Sequence, residues 1–264
     1  MSRFFIILSF KGTNFHGWQS QPGKTTVQDT VKNALQQILQ EEILLIGAGR
    51  TDSGVHAMNF VAHFDSGKII SKEIPDVVYR LNRFLSYDII IHHLIPCEDA
   101  SHSRFDAISR TYHYLVSTGK NPFLYDYSLY YPQKLDISVM NEASKILLVN
   151  NDFASFSKLH GNNKTTICEV REAEWRQVSS DLLVFRITAD RFLRNMVRAI
   201  VGTILGIGSL RDRIPYLQEI IDKKDRSASG TSVDGKGLFL TDIRYKNISL
   251  PEHRNYFINE SFFF

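Results

Sequence analysis

A chain of 264 residues can bury a substantial core in one large domain or two smaller ones without covalent staples, which excludes a disulfide-stapled mini-protein. Hydrophobic residues make up 43% and charged residues 22%, so the composition also excludes a disordered or fibrous chain. The formal net charge of +3 permits a polyanionic partner but is too small to identify one.

In chain order, the first half predicts a strand, a helix, two strands, a helix and a strand. The predicted bounds are 3–10, 26–40, 43–48, 57–64, 74–85 and 89–95. The first helix is the best marked, because apolar residues recur at helical spacing from Val27 and because Thr26 with Asp29 resembles a weakened capping box. The order β-α-β-β-α-β is that of a split βαβ unit.

The second half predicts the same order of elements. Its strands are predicted at 111–117, 170–178, 182–188 and 238–245, and its helices at 137–149, 192–206 and 214–223. We therefore predict an α+β protein of two tandem split-βαβ halves, each ferredoxin-like or RRM-like with a mostly antiparallel sheet, flanking a central cleft. The predicted domains are 1–105 and 106–264, with the cleft around residues 96–110.

Cysteine usage and the apolar runs bear on location in the cell. Cys97 and Cys168 lie far apart and form no Cys-x-x-Cys pair, which indicates a reducing compartment and predicts a cytoplasmic protein. The apolar N-terminal run breaks at Lys11 without a small-residue cleavage site, so it predicts a buried strand. The apolar stretch 199–207 is too short to span about 30 Å of hydrocarbon, and we expect no membrane segment.

A polar, glycine-dense segment lies between the second and third predicted strands and reads Gly-Ala-Gly-Arg-Thr-Asp-Ser-Gly-Val-His-Ala over residues 47–57. Its glycines permit unusual backbone angles and close approach of a ligand, while Arg50 and Asp52 bring a cation and a carboxylate together. The plainer interpretation is a tight turn whose aspartate bonds its own backbone. The adjacent arginine and the three glycines argue against that interpretation.

Nucleotide and metal sites are not supported by the spacing of these residues. Gly49 and Gly54 have Walker A spacing, but Val55 and His56 occupy the positions that need Lys and Ser or Thr. The third glycine of a dinucleotide-binding loop is missing. The nine histidines form no His-Glu-x-x-His motif, so we predict no metal.

The loop resembles the hallmark Gly-Arg-Thr-Asp-Ala-Gly-Val-His of the tRNA pseudouridine synthase A family, with Ser53 in place of the alanine. Further motifs of that family follow in the same order across nearly the whole chain. They are Phe15-His16-Gly17-Trp18-Gln19, Ser103-Arg104-Phe105-Asp106-Ala107, Arg110-Thr111-Tyr112-His113-Tyr114, Asn151-Asp152-Phe153-Ala154-Ser155-Phe156, Phe192-Leu193-Arg194-Asn195-Met196-Val197-Arg198 and Gly237-Leu238-Phe239-Leu240.

The resemblance implies an isomerase that converts uridine to pseudouridine in the anticodon stem-loop of tRNA, at tRNA positions 38 to 40. It implies that Asp52 is the essential carboxylate, that Tyr112 lies against the target base and that Arg198 pairs with the aspartate. The reaction breaks the bond from N1 to C1′ and rejoins uracil through C5 without redox change, so no cofactor is expected. A carboxylate can attack C1′ or C6, or remove a ribose proton, and the sequence leaves these routes open.

Two further residues are candidates for the substrate pocket. Arg50 could keep the carboxylate ionised, because a nearby cation favours the charged form. Leu238 could wall the base pocket, although a leucine there is equally a plain strand residue. The hydroxyl of Tyr112 could relay a proton at C5, although a tyrosine on a strand is usually core.

Six residues are candidates for RNA contacts. The predicted helix from Arg191 puts Arg191, Arg194 and Arg198 on one basic stripe, for which the alternative is a solvated face. His16 and Trp18 lie in a loop that could meet RNA or could instead pack on the sheet through its aromatics. His102 and Arg104 are candidates for phosphate contacts.

The chain departs from the family pattern before Gly237-Leu238, where a proline is usual and none occurs within a few residues. It departs again at His113, where a second arginine often follows the tyrosine.

The resemblance implies tRNA as partner and a homodimer. The alternatives are a non-catalytic tRNA-binding scaffold or chaperone and an aspartate-based phosphohydrolase. The first is disfavoured because a carboxylate facing RNA phosphates repels them, and the second because it needs a metal cluster or phosphate loop.

Overall fold

The computed structural model describes residues 1–69, 71–158, 165–209, 214–246 and 248–251. They form two compact units, one of Met1–Ile108 together with the segment from Leu240, and one of Ser109–Phe239. The sequence predicted a boundary after residue 105 and assigned the segment from Leu240 to the second half.

The first unit contains β1 (Ser2–Phe10), α1 (Val27–Leu39), β2 (Ile46–Gly47), β3 (His56–Ser66), α2 (Ile74–Phe84) and β4 (Ile89–Cys97). Strand β1 lies between β3 and β4 and is antiparallel to both, and the short β2 pairs antiparallel with β3. The predicted order of elements is confirmed. The predicted strand at 43–48 shortens to two residues.

The second unit contains β5 (Ala107–Ser117), β6 (Leu129–Tyr130), α3 (Ile137–Val149), β7 (Val170–Ser179), β8 (Leu182–Ala189), α4 (Met196–Gly208), α5 (Ile214–Lys223) and the start of β9 (Leu238–Tyr245). Strand β8 lies between β5 and β7 and is antiparallel to both. The short β6 runs parallel to β5 and was not predicted. The α+β class with mostly antiparallel strands is confirmed.

Helix α4 begins later than predicted. The backbone of Asn195 is left-handed, with φ of 70°, which interrupts helical geometry immediately before Met196. The preceding residues are held instead by the carboxylate of Asp190, which accepts from the backbone N–H of Arg191 at 2.7 Å. Arg191 and Arg194 therefore lie outside the helix, and the predicted basic stripe with Arg198 is wrong.

Each unit has its own apolar core. In the first, the stacked rings of Trp18 and Phe60 lie 4.1 Å apart, and in the second those of Trp175 and Phe185 lie 4.7 Å apart. The predicted cap of α1 is confirmed, because the Thr26 hydroxyl accepts from the Asp29 N–H at 3.3 Å. Among the described residues, no helix has the length and apolar character needed to cross a bilayer.

Candidate active site

The loop that carries Asp52 connects β2 to β3 and turns sharply at its tip. The carbonyl of Asp52 accepts a hydrogen bond from the N–H of Val55 at 3.3 Å, and Gly54 has φ of +77°. A residue with a side chain would be strained at that φ. Gly54 therefore allows the tight turn that begins at the carboxylate-bearing residue.

The other two glycines of the loop, Gly47 and Gly49, do not have the unusual backbone angles that the sequence predicted. Gly47 is required for space, since a Cβ there would lie 2.4 Å from Nε1 of Trp18. Around Gly49 there is open space, and nothing in the structure explains a glycine at that position.

Residues 12–18, here called the backing segment, lie directly behind this loop. The carbonyl of Phe15 accepts from the N–H of Gly54 at 3.4 Å and from the hydroxyl of Ser53 at 3.2 Å. The N–H of Trp18 donates to the carbonyl of Thr51 at 3.4 Å. The residues on both sides of Asp52 are thus bound to one neighbouring stretch of backbone.

Two glycines of the backing segment make this approach possible. A Cβ on Gly17, whose φ is +83°, would lie 2.2 Å from the carbonyl oxygen of Thr51. A Cβ on Gly12 would lie 2.0 Å from the carbonyl oxygen of Val55, and the Gly12 N–H donates to Nδ1 of His56 at 3.1 Å. Backbone packs on backbone here, which makes the loop rigid.

The backing segment is in turn anchored by α1 and by the core. The N–H groups of Val27 and Gln28, at the start of α1, donate to the carbonyls of Gly17 and Trp18 at 3.2 and 3.0 Å. Trp18 is only 2% exposed, so its ring belongs to the core. Of the two loop residues considered as RNA contacts, only His16 is exposed, and Trp18 follows the alternative interpretation of an aromatic anchor.

The chemistry-bearing side chains of the loop differ in accessibility. Arg50 is exposed and Asp52 is half-buried. Between them, the hydroxyl oxygen of Thr51 is buried and has no hydrogen-bond partner among the described residues. The first unit thus offers a half-buried carboxylate with a cation two residues away in sequence.

In the second unit, Tyr112 lies half-buried on β5, and its ring meets that of Phe192 edge to face, with centroids 5.1 Å apart. Tyr114, two residues on, is fully buried and donates its hydroxyl to the carbonyl of Asp234 at 2.8 Å. Burial raises the pKa of Tyr114 far above its usual value, so that hydroxyl stays neutral and structural. Tyr112 is therefore the tyrosine of this strand with an accessible ring.

Arg198 lies on the first turn of α4 and is half-buried. Its Nε donates to the carbonyl of Val233 at 2.7 Å, and the N–H of Val233 donates to the carbonyl of Arg198 at 3.2 Å. Leu238 opens β9 and is 6% exposed. Sequence reasoning singled out Arg198 but missed Val233, because an apolar residue in a loop carries no signal that its carbonyl orients a guanidinium.

The remaining candidates for RNA contact are distributed over both units. Arg104 and Arg194 are exposed, whereas His102 and Arg191 are half-buried. The Nδ1 of His102 accepts from the N–H of Arg104 at 3.1 Å, and burial lowers the pKa of His102. His102 therefore stabilises the turn mainly as a neutral imidazole. Arg104 is the exposed cation of this stretch.

Comparison with known proteins identifies the family of the chain. The family model described as tRNA pseudouridine synthase matches residues 6–106 and 143–246, and the chain belongs to the tRNA pseudouridine synthase family. Within that family, tRNA pseudouridine synthase A of Parabacteroides distasonis is 46% identical over 254 residues, covering 95% of this chain and 99% of that protein. The protein of the same name from Porphyromonas gingivalis is 45% identical over 246 residues, covering 93% and 98%.

The matched ranges include Arg50, Asp52, Arg198 and Leu238. Tyr112 lies between the two ranges. Its assignment therefore depends on the motif quoted above and on its position on β5.

Proposed function

We propose that this protein isomerises uridine to pseudouridine in the anticodon stem-loop of tRNA, with Asp52 as its catalytic carboxylate. The observation that carries the proposal is the construction of the Asp52 loop, in which the flanking peptides of a half-buried carboxylate are bound to the backing segment. A surface turn has no need of such support, whereas a reacting group must be held within a fraction of an ångström. Membership of the tRNA pseudouridine synthase family supplies the reaction class.

Asp52 acts in its ionised form in each chemical route open to it. Attack at C1′ or at C6 needs a nucleophilic oxygen, and removal of a ribose proton needs a base. A cation near a carboxylate favours ionisation when water is excluded. We assign this role to Arg198 and Arg50.

The target uridine must leave its stack before its glycosidic bond can be reached, so the enzyme must replace the lost stacking. We assign that contact to the accessible ring of Tyr112. Leu238, largely covered by its neighbours, is proposed as an apolar wall beside the base. Cations suit the phosphate backbone, and we propose the exposed Arg104 and Arg194 and the half-buried Arg191 for that role, with His16 and His102 as further contacts.

A binding protein without catalysis is the competing function. It would have no use for a carboxylate on a rigid loop, since the charge repels phosphates. We further propose a cytoplasmic homodimer, for which support comes from the family resemblance and, for the compartment, from cysteines that are unpaired in the structure.

Release of tritium from tRNA labelled at uracil C5 tests the function, because forming the C5 glycosidic bond expels that hydrogen. We expect release by the wild type without added metal or cofactor. Asp52→Ala should lower the rate by at least roughly a thousandfold, as removal of an essential group does, while tRNA affinity stays within about threefold. The exposed Asp99 offers a matched control, and Asp99→Ala should leave the rate unchanged. Full activity in Asp52→Ala would show that another group is the catalytic carboxylate, and tight tRNA binding without release by the wild type would favour the scaffold.

A further inference from the structure

The segment 229–234 of the second unit leads to Leu238 and carries the carbonyl that holds Arg198. This carbonyl belongs to Val233 and lies 2.7 Å from the Nε of Arg198. This stretch of the chain contains no proline. Hydrogen bonds from Arg226 and to Thr203 hold the backbone of this segment instead.

Ser232, the residue before Val233, is held from two sides. Its hydroxyl oxygen accepts from Nδ2 of Asn195 at 2.5 Å and from Nη2 of Arg226 at 2.8 Å. Asn195 stands at the start of α4 in a left-handed conformation that non-glycine residues seldom adopt. The serine thus connects the start of the helix that carries Arg198 to Arg226.

Arg226 binds the same segment through its second terminal nitrogen. This nitrogen, Nη1, donates to the hydroxyl of Ser229 at 2.6 Å and to the carbonyl of Gly230 at 3.3 Å. One planar guanidinium therefore spans three residues of the segment, which is the use for which its fixed donor fork is suited.

The opposite side of the segment lies against α4. The N–H of Gly230 donates to the Thr203 hydroxyl at 2.9 Å, and a Cβ on Gly202 would lie 2.0 Å from the carbonyl oxygen of Thr231. The segment is thus enclosed between the helix and Arg226. Displacing Arg226 would release one side of it.

We propose that Arg226 is a positioning residue for the pseudouridylation reaction: through Ser232 it fixes the carbonyl of Val233, and that carbonyl orients the guanidinium of Arg198. This inference rests on the proposed function and on the role assigned there to Arg198. A long arginine side chain has many rotamers, so an immobile acceptor at Nε limits the directions its terminal nitrogens can take.

Asp234 provides a way to constrain the backbone of this segment independently of Arg226. Its φ of −58° and ψ of 146° are those of proline. A proline at 234 would stiffen the segment next to Val233 without a change of path. It would also remove the carboxylate that accepts from the Lys236 N–H. The double variant must therefore be compared with the single variant Asp234→Pro rather than with the wild type.

The experiment measures single-turnover tritium release over a series of enzyme concentrations. In Arg226→Ala we expect the saturating rate to fall by about ten- to a hundredfold, because small misplacement of a reacting group has effects of this size. The enzyme concentration at half-saturation should stay within about threefold. Adding Asp234→Pro to Arg226→Ala should return the rate to within about threefold of Asp234→Pro alone. The matched control is Arg176→Ala, an exposed arginine on β7 paired with Glu174, which should leave rate and affinity unchanged.

An unchanged saturating rate in Arg226→Ala would overturn the proposal. So would a loss confined to tRNA affinity with a weaker salt dependence, because that result identifies a phosphate contact. If Arg226→Ala does not fold, Ser232→Ala, which removes the shared acceptor, must show the same loss of rate. Absence of release by the wild type would refute the proposed function instead, and full activity of Arg198→Ala would refute the role of Arg198.

Discussion

Gly17 meets two separate demands at a single Cα. Its φ of +83° lies in the left-handed region, and its missing side chain leaves room for the carbonyl of Thr51. Most glycines in turns meet only the first demand. The residue therefore determines how closely the backing segment can approach the loop of Asp52.

Gly23 allows these two demands to be separated, because its φ is +69° and a Cβ there would meet nothing within 4 Å. We expect Gly23→Ala to cost about 1–2 kcal/mol of unfolding free energy, the strain of a left-handed residue. Gly17→Ala should cost about 1–3 kcal/mol more for the displaced backbone and should also slow tritium release. Urea denaturation and the release assay measure both effects. An equal loss of unfolding free energy in the two variants would mean that the backbone of Thr51 can move away from the new Cβ at little cost.

Trp18 shows why single residues are misassigned from sequence. An aromatic residue in a polar loop has the same signature whether it stacks on RNA or on the protein. The partner that buries Trp18 is Phe60, more than forty residues further along the chain, and local pattern does not identify such a partner. Asp52 was proposed as the catalytic residue because its neighbours in sequence form a motif.

At the scale of elements, the turn at residues 102–106 is tied to the sheet of the first unit by Ser103. Its hydroxyl donates to the carbonyl of Ile46 at 2.9 Å, and its carbonyl accepts from the Tyr245 hydroxyl at 2.6 Å. Its N–H donates to Nδ1 of His63 at 3.2 Å. The Ser103 hydroxyl oxygen also lies 2.8 Å from the same nitrogen, and the imidazole of His63 is buried.

This arrangement predicts a loss of stability in acid. Burial first, and then the nearby His102 and Arg3, lower the pKa of His63 to about 4, below the unfolded value of about 6.5. The contribution of His63 to the free energy of unfolding is therefore complete above pH 6.5. It is lost as the pH falls from 6.5 to 4, by up to about 3 kcal/mol. Urea denaturation at pH 7.5, 6 and 5 should show this slope.

His63→Gln is the matched variant for the acid effect. Its unfolding free energy should depend less steeply on pH over this range. Part of the slope should remain, because the pKa of His113 is also lowered to about 4, chiefly by burial. An identical slope in the variant and the wild type would exclude His63 as the group responsible.

The start of α4 illustrates the limits of periodicity for elements. Leu193, Met196, Val197 and Ile200 recur as a helix requires, and three of the four do lie in the helix. Leu193 is buried as well, but in a turn whose carbonyl accepts from the Met196 N–H. A turn and a helix bury the same residue, so hydrophobic spacing predicted the core correctly and the helix boundary incorrectly.

At the scale of the whole molecule, the proposed homodimer predicts a measurable mass. Light scattering coupled to size-exclusion chromatography should give the mass of two chains at micromolar concentration, with or without tRNA. A single-chain mass over the whole concentration range would contradict the homodimer without affecting the assignment of Asp52. Asp52→Ala should elute with the wild type, because the substitution is confined to one loop.

The amino-acid sequence by itself determined the class of fold, the order of nearly all strands and helices, and the loop of Asp52, because apolar periodicity and glycine-rich motifs are local properties. Only the tertiary structure decided that Trp18 is core, that α4 begins at Met196, and that Ser232 and Arg226 hold the segment beside Arg198. The physical reason is that burial and hydrogen-bond partners depend on residues far apart in the chain. A serine or a loop arginine has no local pattern that reveals which atom it will bind.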